Sequence, residues 1–509
     1  MHDIRYMIQK IRKIKPSELS FNNNPPSSPF KKVGLPASAR GGQVWRPACL
    51  WHGAEGAQGR WGIGLSFCIL HFVSLVFILF AAVPADAGLD VKREILDNGL
   101  TLLIVERHHL PIVKVTVGVN AGSLEEPEKL SGLANLTAEL LTSGTKMRTA
   151  REINEEVEFV GASLNASGGD DYITVNLSVL KKDLNLGFDL LSDVMLNPLF
   201  PEDELDKKRE RIKGALQAQE EDPGFVAMKD FKKAVFGSHP YGRLIEGSTD
   251  TLDMISRKDI VDFHAAHYVP NNTIMSIVGD ITVEEVKDLL KKYFSNWHRK
   301  EVRALESQEP GKTKERKTVT VDKDLTQANI ILGHVGIRRD DPDYYAVSVM
   351  NYIFGGGDFA SRLMQNIREE KGLVYDIHSF FAAKKNSGNF QVGLQTKNKS
   401  ANTAIQEILQ EIKKMMNEPV SDAEISDAQA FLTGSFPMRI ETSQRIADFL
   451  MAVEYYKLGM DYIEKYPVYI NSVTKEDILR VAKKYLDPEK FVLVVVANLE
   501  EALLKEEFK

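Results

Sequence analysis

The body of this chain is written twice, and this repeat constrains its fold more than any other feature. The alternating segment VKVTVGVNAG (113–122) has a counterpart in ANIILGHVGI (328–337). Each is followed by an acidic turn and an apolar helical stretch, GLANLTAELL in the first copy and YYAVSVMNYIF in the second. Farther on, FPEDELDKKRERIKGAL (200–216) matches VSDAEISDAQAFLTGSF (420–436), which pairs Glu204 with Glu424 and Gly214 with Gly434, 220 residues apart. The copies end alike, in HYVPNNTIMSIVGDI (267–281) and KYLDPEKFVLVVVANL (484–499). Repeat units of this length are whole domains.

Within each copy the strands alternate, as in YITVNLSVL (172–180) and NFQVGLQT (389–396). That pattern predicts antiparallel sheet with one face covered. Amphipathic stretches such as LNLGFDLLSDVML supply the covering helices. The expected fold class is α+β, with two tandem homologous domains, each an antiparallel sheet covered by helices. The charged run HRKEVRALESQEPGKTKERK (298–317) lacks an apolar period and carries Pro310-Gly311, so it reads as the linker. The domains then span 88–297 and 318–509.

What precedes them is of another kind. Residues 61–83, WGIGLSFCILHFVSLVFILFAAV, carry no charge. Ala85-Asp86-Ala87 fits the small-x-small cleavage rule, so the mature chain is expected to begin at Gly88. The rival reading is an uncleaved membrane anchor. Either way the body is exported, periplasmic or held at the membrane facing away from the cytoplasm. Residues 1–60 contain NNNPPSSP and read as a disordered or mis-assigned extension. From Gly88 onward the chain has 54 basic and 67 acidic side chains, a balance that gives no general attraction for nucleic acid or anionic lipid. Both cysteines, Cys49 and Cys68, lie ahead of Gly88, so the body has no disulfide and no thiolate metal site.

Five motifs together carry a family resemblance: NGLTLLIVE, NAGSLEEPEKLSGLANLTAELLTSGT, HPYGRLIEGSTDTLDMIS, YVPNNTIMSIVGDI and GGGDFASRLMQNIREEKGLVYDIHSFF. With their spacing, residues 88–509 resemble the M16 metallopeptidases, the insulinase and mitochondrial-processing-peptidase group, of M16B type. The resemblance implies a chain forming half of a clam-shell.

Active members of that family carry H-x-x-E-H on a helix of the first domain. Two histidines on one helical face bind zinc, the Glu between them takes a proton from the bound water, and a Glu on a second helix completes the coordination. Here the motif falls on Asn135-Leu136-Thr137-Ala138-Glu139. Asn135 and Glu139 stand at the ligand positions and Ala138 at that of the base. The distant Glu aligns near Gly214, or at Lys213 or Ala215 if the register slips. An amide and one carboxylate do not replace two imidazoles and a carboxylate, so this chain is expected to bind no metal and no cofactor. Leu133, Leu136, Leu140 and Leu141 make the same stretch a core helix.

The second domain keeps a different motif. Arg368 and Tyr375 stand seven apart in NIREEKGLVYDIHSFF, as an Arg and a Tyr do in the family. The resemblance implies that they face a zinc site across the central chamber, hold the substrate backbone and stabilise the developing oxyanion. A forked guanidinium and a phenol OH are suited to that task. The structural alternative is an Arg paired with Glu369 or Glu370 and a Tyr filling the core. Gly355-Gly356-Gly357 lacks the Lys-Ser/Thr of a phosphate loop and reads as a turn. His264 and His267 read as an ordinary helix end, and Asp170-Asp171 as a solvated turn.

Two functions follow. One is the non-zinc subunit of a heterodimeric metalloendopeptidase, inactive alone, whose homologous partner carries H-x-x-E-H and zinc, and whose substrate is an unfolded peptide added as a strand to a sheet edge. The other is a catalytically inactive structural or peptide-binding scaffold. No residues suggest a rebuilt catalytic site.

Overall fold

The computed structural model describes residues 89–302 and 308–508. The apolar segment 61–83, the prelude and the cleavage site lie outside the described residues. Among the described residues no helix is long and apolar enough to cross a membrane.

Each copy builds one sheet. The first holds β1 (Lys92–Ile95), β2 (Thr101–Glu106), β3 (Ile112–Val119), β4 (Ser163–Ser167), β5 (Ile173–Leu180) and β6 (Thr273–Gly279) in the order β1-β2-β6-β3-β5-β4. The second holds β7 (Lys317–Asp322), β8 (Gln327–Val335), β9 (Val374–Ala382), β10 (Asn389–Lys397) and β11 (Val492–Ala497) in the order β7-β11-β8-β10-β9. Apart from β1 the two orders are the same, with β2 standing for β7, β6 for β11, β3 for β8, β5 for β10 and β4 for β9. The repeat in sequence is therefore a repeat in topology, and the α+β architecture of two homologous domains holds.

Two details differ from the expectation of antiparallel sheets covered on one face. Each sheet contains one parallel pair, β2 with β6 and β7 with β11, because the last strand of each copy returns after the helices to lie beside an early one, β2 in the first copy and β7 in the second. The central strands are also covered on both faces. All six residues of β11, VLVVVA, are buried. A strand buried on both faces reads as a continuous apolar run rather than an alternating one.

The second cover is supplied by exchange. The helix Pro223–Phe236 belongs to the first copy but packs on β8 and β11 of the second sheet. There Val226, Phe231 and Val235 meet Ile331, Val492, Val494 and Val496. Its counterpart, the helix Ser443–Tyr455, packs on β3 and β6 of the first sheet, where Ile446 and Leu450 meet Leu103, Val105 and Val278. Burying one such large apolar side chain is worth about 1.5–3 kcal/mol. The exchange therefore ties the two domains into one body.

Candidate functional site

The helix Leu133–Glu139, here the motif helix, starts at Gly132, which holds φ +98°. A side chain at Gly132 would press its Cβ to within 2.7 Å of the Glu246 carbonyl oxygen, so the position needs glycine. No Ser, Thr, Asp or Asn caps this helix. Instead the Glu126 carboxyl accepts the backbone N–H groups of Gly132 at 3.1 Å and Ala134 at 2.6 Å. Leu133, Leu136, Leu140 and Leu141 are all buried, the core stripe expected from sequence.

Burial pushes the Glu126 carboxyl up to about 8, against the opposing pull of the two N–H donors and Arg243. The folded value lies above the unfolded one. The penalty is absent below pH 4.5, where both states are protonated, and grows as pH rises from 4.5 to about 8. Glu126→Gln is expected to flatten the fall in melting temperature across that window, on top of a pH-independent cost, because an amide has one acceptor oxygen for the two N–H groups of Gly132 and Ala134. Melting curves at a series of pH values check this. An identical pH dependence in both proteins would contradict it.

The ligand positions on the motif helix are used differently from a metal site. Asn135 Nδ2 donates to Glu139 Oε1 at 3.1 Å, and Asn135 Oδ1 accepts the backbone N–H of Gly168 at 3.0 Å. Gly168 directly follows β4, the edge strand of the first sheet. The other Glu139 oxygen is held by the long helix Glu202–Gln219: Arg211 Nη2 donates to it, and Lys208 Nζ lies 3.4 Å away. Ala138, where the family resemblance places the base, is fully buried in the core. At Gly214 on the same long helix, an added Cβ would meet nothing within 4 Å. One amide, one carboxylate already shared by two cations, and a glycine do not fit zinc. Among the described residues no group of three or more His, Cys, Asp or Glu is placed to hold a metal ion.

The second-domain motif has a distinct geometry. Arg368 sits in the wide helical turn Met364–Glu370, Gly372 takes φ +61° to reverse the chain, and β9 follows from Val374. β9 is the free edge of its sheet. Its pairing with β10 slips beside Tyr375: Ile377 faces Leu394 and Val374 faces Thr396, so Tyr375 and Asp376 together oppose Gln395. Such a bulge re-aims a side chain. Tyr375 is 75% exposed, so it does not fill the core. The Arg368 guanidinium lies 4.7 Å from the ring centre of Phe359, which is itself exposed. Its one hydrogen bond among the described residues runs 3.9 Å to the weak acceptor Met364 Sδ. No ion pair joins Arg368 to Glu369 or Glu370 in the described structure. Neither ordinary structural use expected for this Arg and Tyr occurs.

The remaining sequence candidates have structural uses. The His264 ring stacks on Tyr268 and its Nε2 lies 2.9 Å from the Met195 carbonyl, while burial lowers its pKa to about 4 and keeps it neutral. His267 packs against Phe263. Gly355 and Gly356 lie in the helical segment Tyr352–Gly356 rather than in a turn, and Gly355 packs so tightly that an added Cβ would come within 2.6 Å of Leu363 and Ser379.

Asp170-Asp171, expected as a solvated turn, is not one. Asp171 is 5% exposed and lies where the domains meet. It accepts from Tyr241 OH of the first domain, and from Tyr456 OH at 2.8 Å and the Lys385 backbone N–H at 3.0 Å of the second. Tyr455 OH donates to its carbonyl at 3.1 Å. Burial pushes the Tyr241 and Tyr456 phenols well above their ordinary value, so both stay protonated donors. Asp170 pairs with Lys384. The partners come from segments 70 to 285 residues away, which no local pattern reveals.

Two homologous α+β domains with exchanged helices, a degenerate motif helix and an Arg/Tyr motif on the second sheet define the class. The Insulinase (Peptidase family M16) model matches residues 102–249, and the Peptidase M16 inactive domain model matches residues 254–432. The chain belongs to the M16 family and is of its non-zinc-binding type. Among its relatives is a Bacillus subtilis protein named uncharacterized zinc protease YmxG, 25% identical over 354 residues, covering 69% of this chain and 85% of that one. An uncharacterized zinc protease of Rickettsia bellii is 27% identical over 412 residues, covering 80% and 91%. The crystal structure of a peptidase M16 inactive domain from Pseudomonas fluorescens matches with a TM-score of 0.75 and 26% identity, over 80% of this chain and 98% of that one. A protease structure from Helicobacter pylori, at TM-score 0.74 and 22% identity, shares the fold.

Proposed function

We propose that this chain is the non-zinc subunit of an exported heterodimeric metalloendopeptidase. Its partner is a homologous M16 chain that carries H-x-x-E-H and the zinc. This chain closes one side of the chamber, binds an unfolded peptide largely through its backbone and supplies Arg368 and Tyr375 to the reaction. The observation that carries the reading is the bulge in β9. It leaves a phenol OH exposed at a free sheet edge, just after an arginine with no ion-pair partner among the described residues. A side chain kept exposed on a rigid strand, with its donor unspent, is arranged for an external ligand. The guanidinium offers forked donors and the phenol a single one, and both suit a carbonyl oxygen gaining negative charge.

The apolar segment 61–83 and Ala85-Asp86-Ala87 support export, with the body released from Gly88 or left anchored. The scaffold reading is favoured by one contact, the stacking of Arg368 over Phe359. The two readings part on assembly. The chain mixed with a zinc-bearing homologue is expected to elute as a stable 1:1 complex in size-exclusion chromatography with light scattering. Separate elution at micromolar concentration would defeat the heterodimer.

A further inference from the structure

The vacated metal position in the first domain is filled by charge. Glu139 stands where the second metal ligand would be, and the long helix sends two cations to it: Arg211, bonded to Glu139 Oε2, and Lys208, 3.4 Å from the same oxygen. On the other side of Glu139, Asn135 bonds its Oε1 and accepts the N–H of Gly168. We propose that Arg211 and Lys208 are a built-in replacement for the metal, an ion-pair lock that holds the motif helix, the long helix and the end of the edge strand together and actively excludes a divalent cation.

Three observations converge on this. Zinc sits about 2 Å from its nitrogen and oxygen ligands, so an ion bound through position 139 would lie within a few ångströms of an ammonium and a guanidinium. Like charges that close repel in a partly buried site: the Glu139 and Lys208 side chains are each 22% exposed, and the Arg211 side chain, which reaches in from the surface, is 65% exposed. The third is the length of the network. It runs from Lys208 and Arg211 through Glu139 and Asn135 to the backbone of Gly168, so the helix, the second helix and the edge strand are joined without a metal. Loss of zinc in this chain is therefore more than the loss of ligands. The three segments stay joined by their own charges, and putting the ligands back is not sufficient to bring the metal back.

The test separates ligand loss from cation exclusion. One variant of the full chain places the three ligands where the family resemblance puts them, Asn135→His, Glu139→His and Gly214→Glu; an added Cβ at Gly214 meets nothing within 4 Å. A second adds Lys208→Ala and Arg211→Ala. Zinc content is measured by elemental analysis after equilibration with micromolar zinc and desalting. The three-residue variant is expected to hold substoichiometric zinc, and the five-residue variant one zinc per chain. Stoichiometric zinc in the first overturns the proposal, and so does zinc in neither. A measurement on the lock itself covers poor folding of these variants. Glu139→Arg and Arg211→Glu singly are each expected to lower the melting temperature by roughly 1–3 °C, a modest loss because the pair is partly exposed. The combined swap is expected to recover most of that loss. Single variants that melt like the parent, or a swap that adds the two losses, overturn the lock.

Discussion

Replacing Arg368 by alanine in the proposed heterodimer is expected to lower kcat by about 10²–10³-fold, with KM changing far less. That is the scale on which one preorganised donor to a developing oxyanion acts. The rest of the molecule should hardly notice. Arg368 makes no ion pair among the described residues, and its stacking on the exposed Phe359 is worth about 0.5–1 kcal/mol at most. Arg368→Lys keeps the charge but loses the fork, so it should restore only part of the rate. Tyr375→Phe removes one exposed hydroxyl from a strand whose other contacts stay in place, and its stability should lie within about 0.5 kcal/mol of the parent. Steady-state kinetics on a fluorogenic peptide check the rates, and melting curves and complex stoichiometry check that nothing else changed. Variants that cleave normally would remove this pair from the reaction.

The largest loss of stability is expected at Asp171. Asp171→Ala leaves three donors from three segments without their acceptor inside the domain boundary: Tyr241 OH, Tyr456 OH and the Lys385 N–H. Leaving a buried donor without its acceptor costs about 1–3 kcal/mol. Asp171→Asn keeps one acceptor oxygen and should recover part of that. The melting temperature should fall by several degrees in Asp171→Ala and less in Asp171→Asn. Equal stability of all three proteins would mean that the cluster does not join the domains.

The contrast between Asp171 and the leucines of the motif helix marks what a sequence gives up readily. Leu133, Leu136, Leu140 and Leu141 were legible as a core stripe because helical spacing is local, and they are buried as expected. The repeat was legible too, since Glu204 with Glu424 and Gly214 with Gly434 keep one offset. The same offset separates Pro223 from Ser443, the starts of the exchanged helices, yet nothing in either segment says which sheet it will cover. Asp171 resembles any turn aspartate until Tyr241 and Tyr456 are brought to it. Arg211 and Lys208 sit in a run of charges, KKRERIK, whose ordinary fate is a solvated face. Only the packing of two helices shows that they end on Glu139. The bulge beside Tyr375 is a property of strand register, and register is set by the partner strand β10.

The central claim is that this chain is half of a peptidase, and one titration tests it most directly. A zinc-bearing homologue is held at fixed concentration, and this chain is added while cleavage of an unfolded peptide is followed. The chain alone should cleave nothing. Activity should rise with each addition and reach a plateau at one equivalent. A rate that this chain leaves unchanged, or full activity of the zinc-bearing homologue alone, would contradict the account.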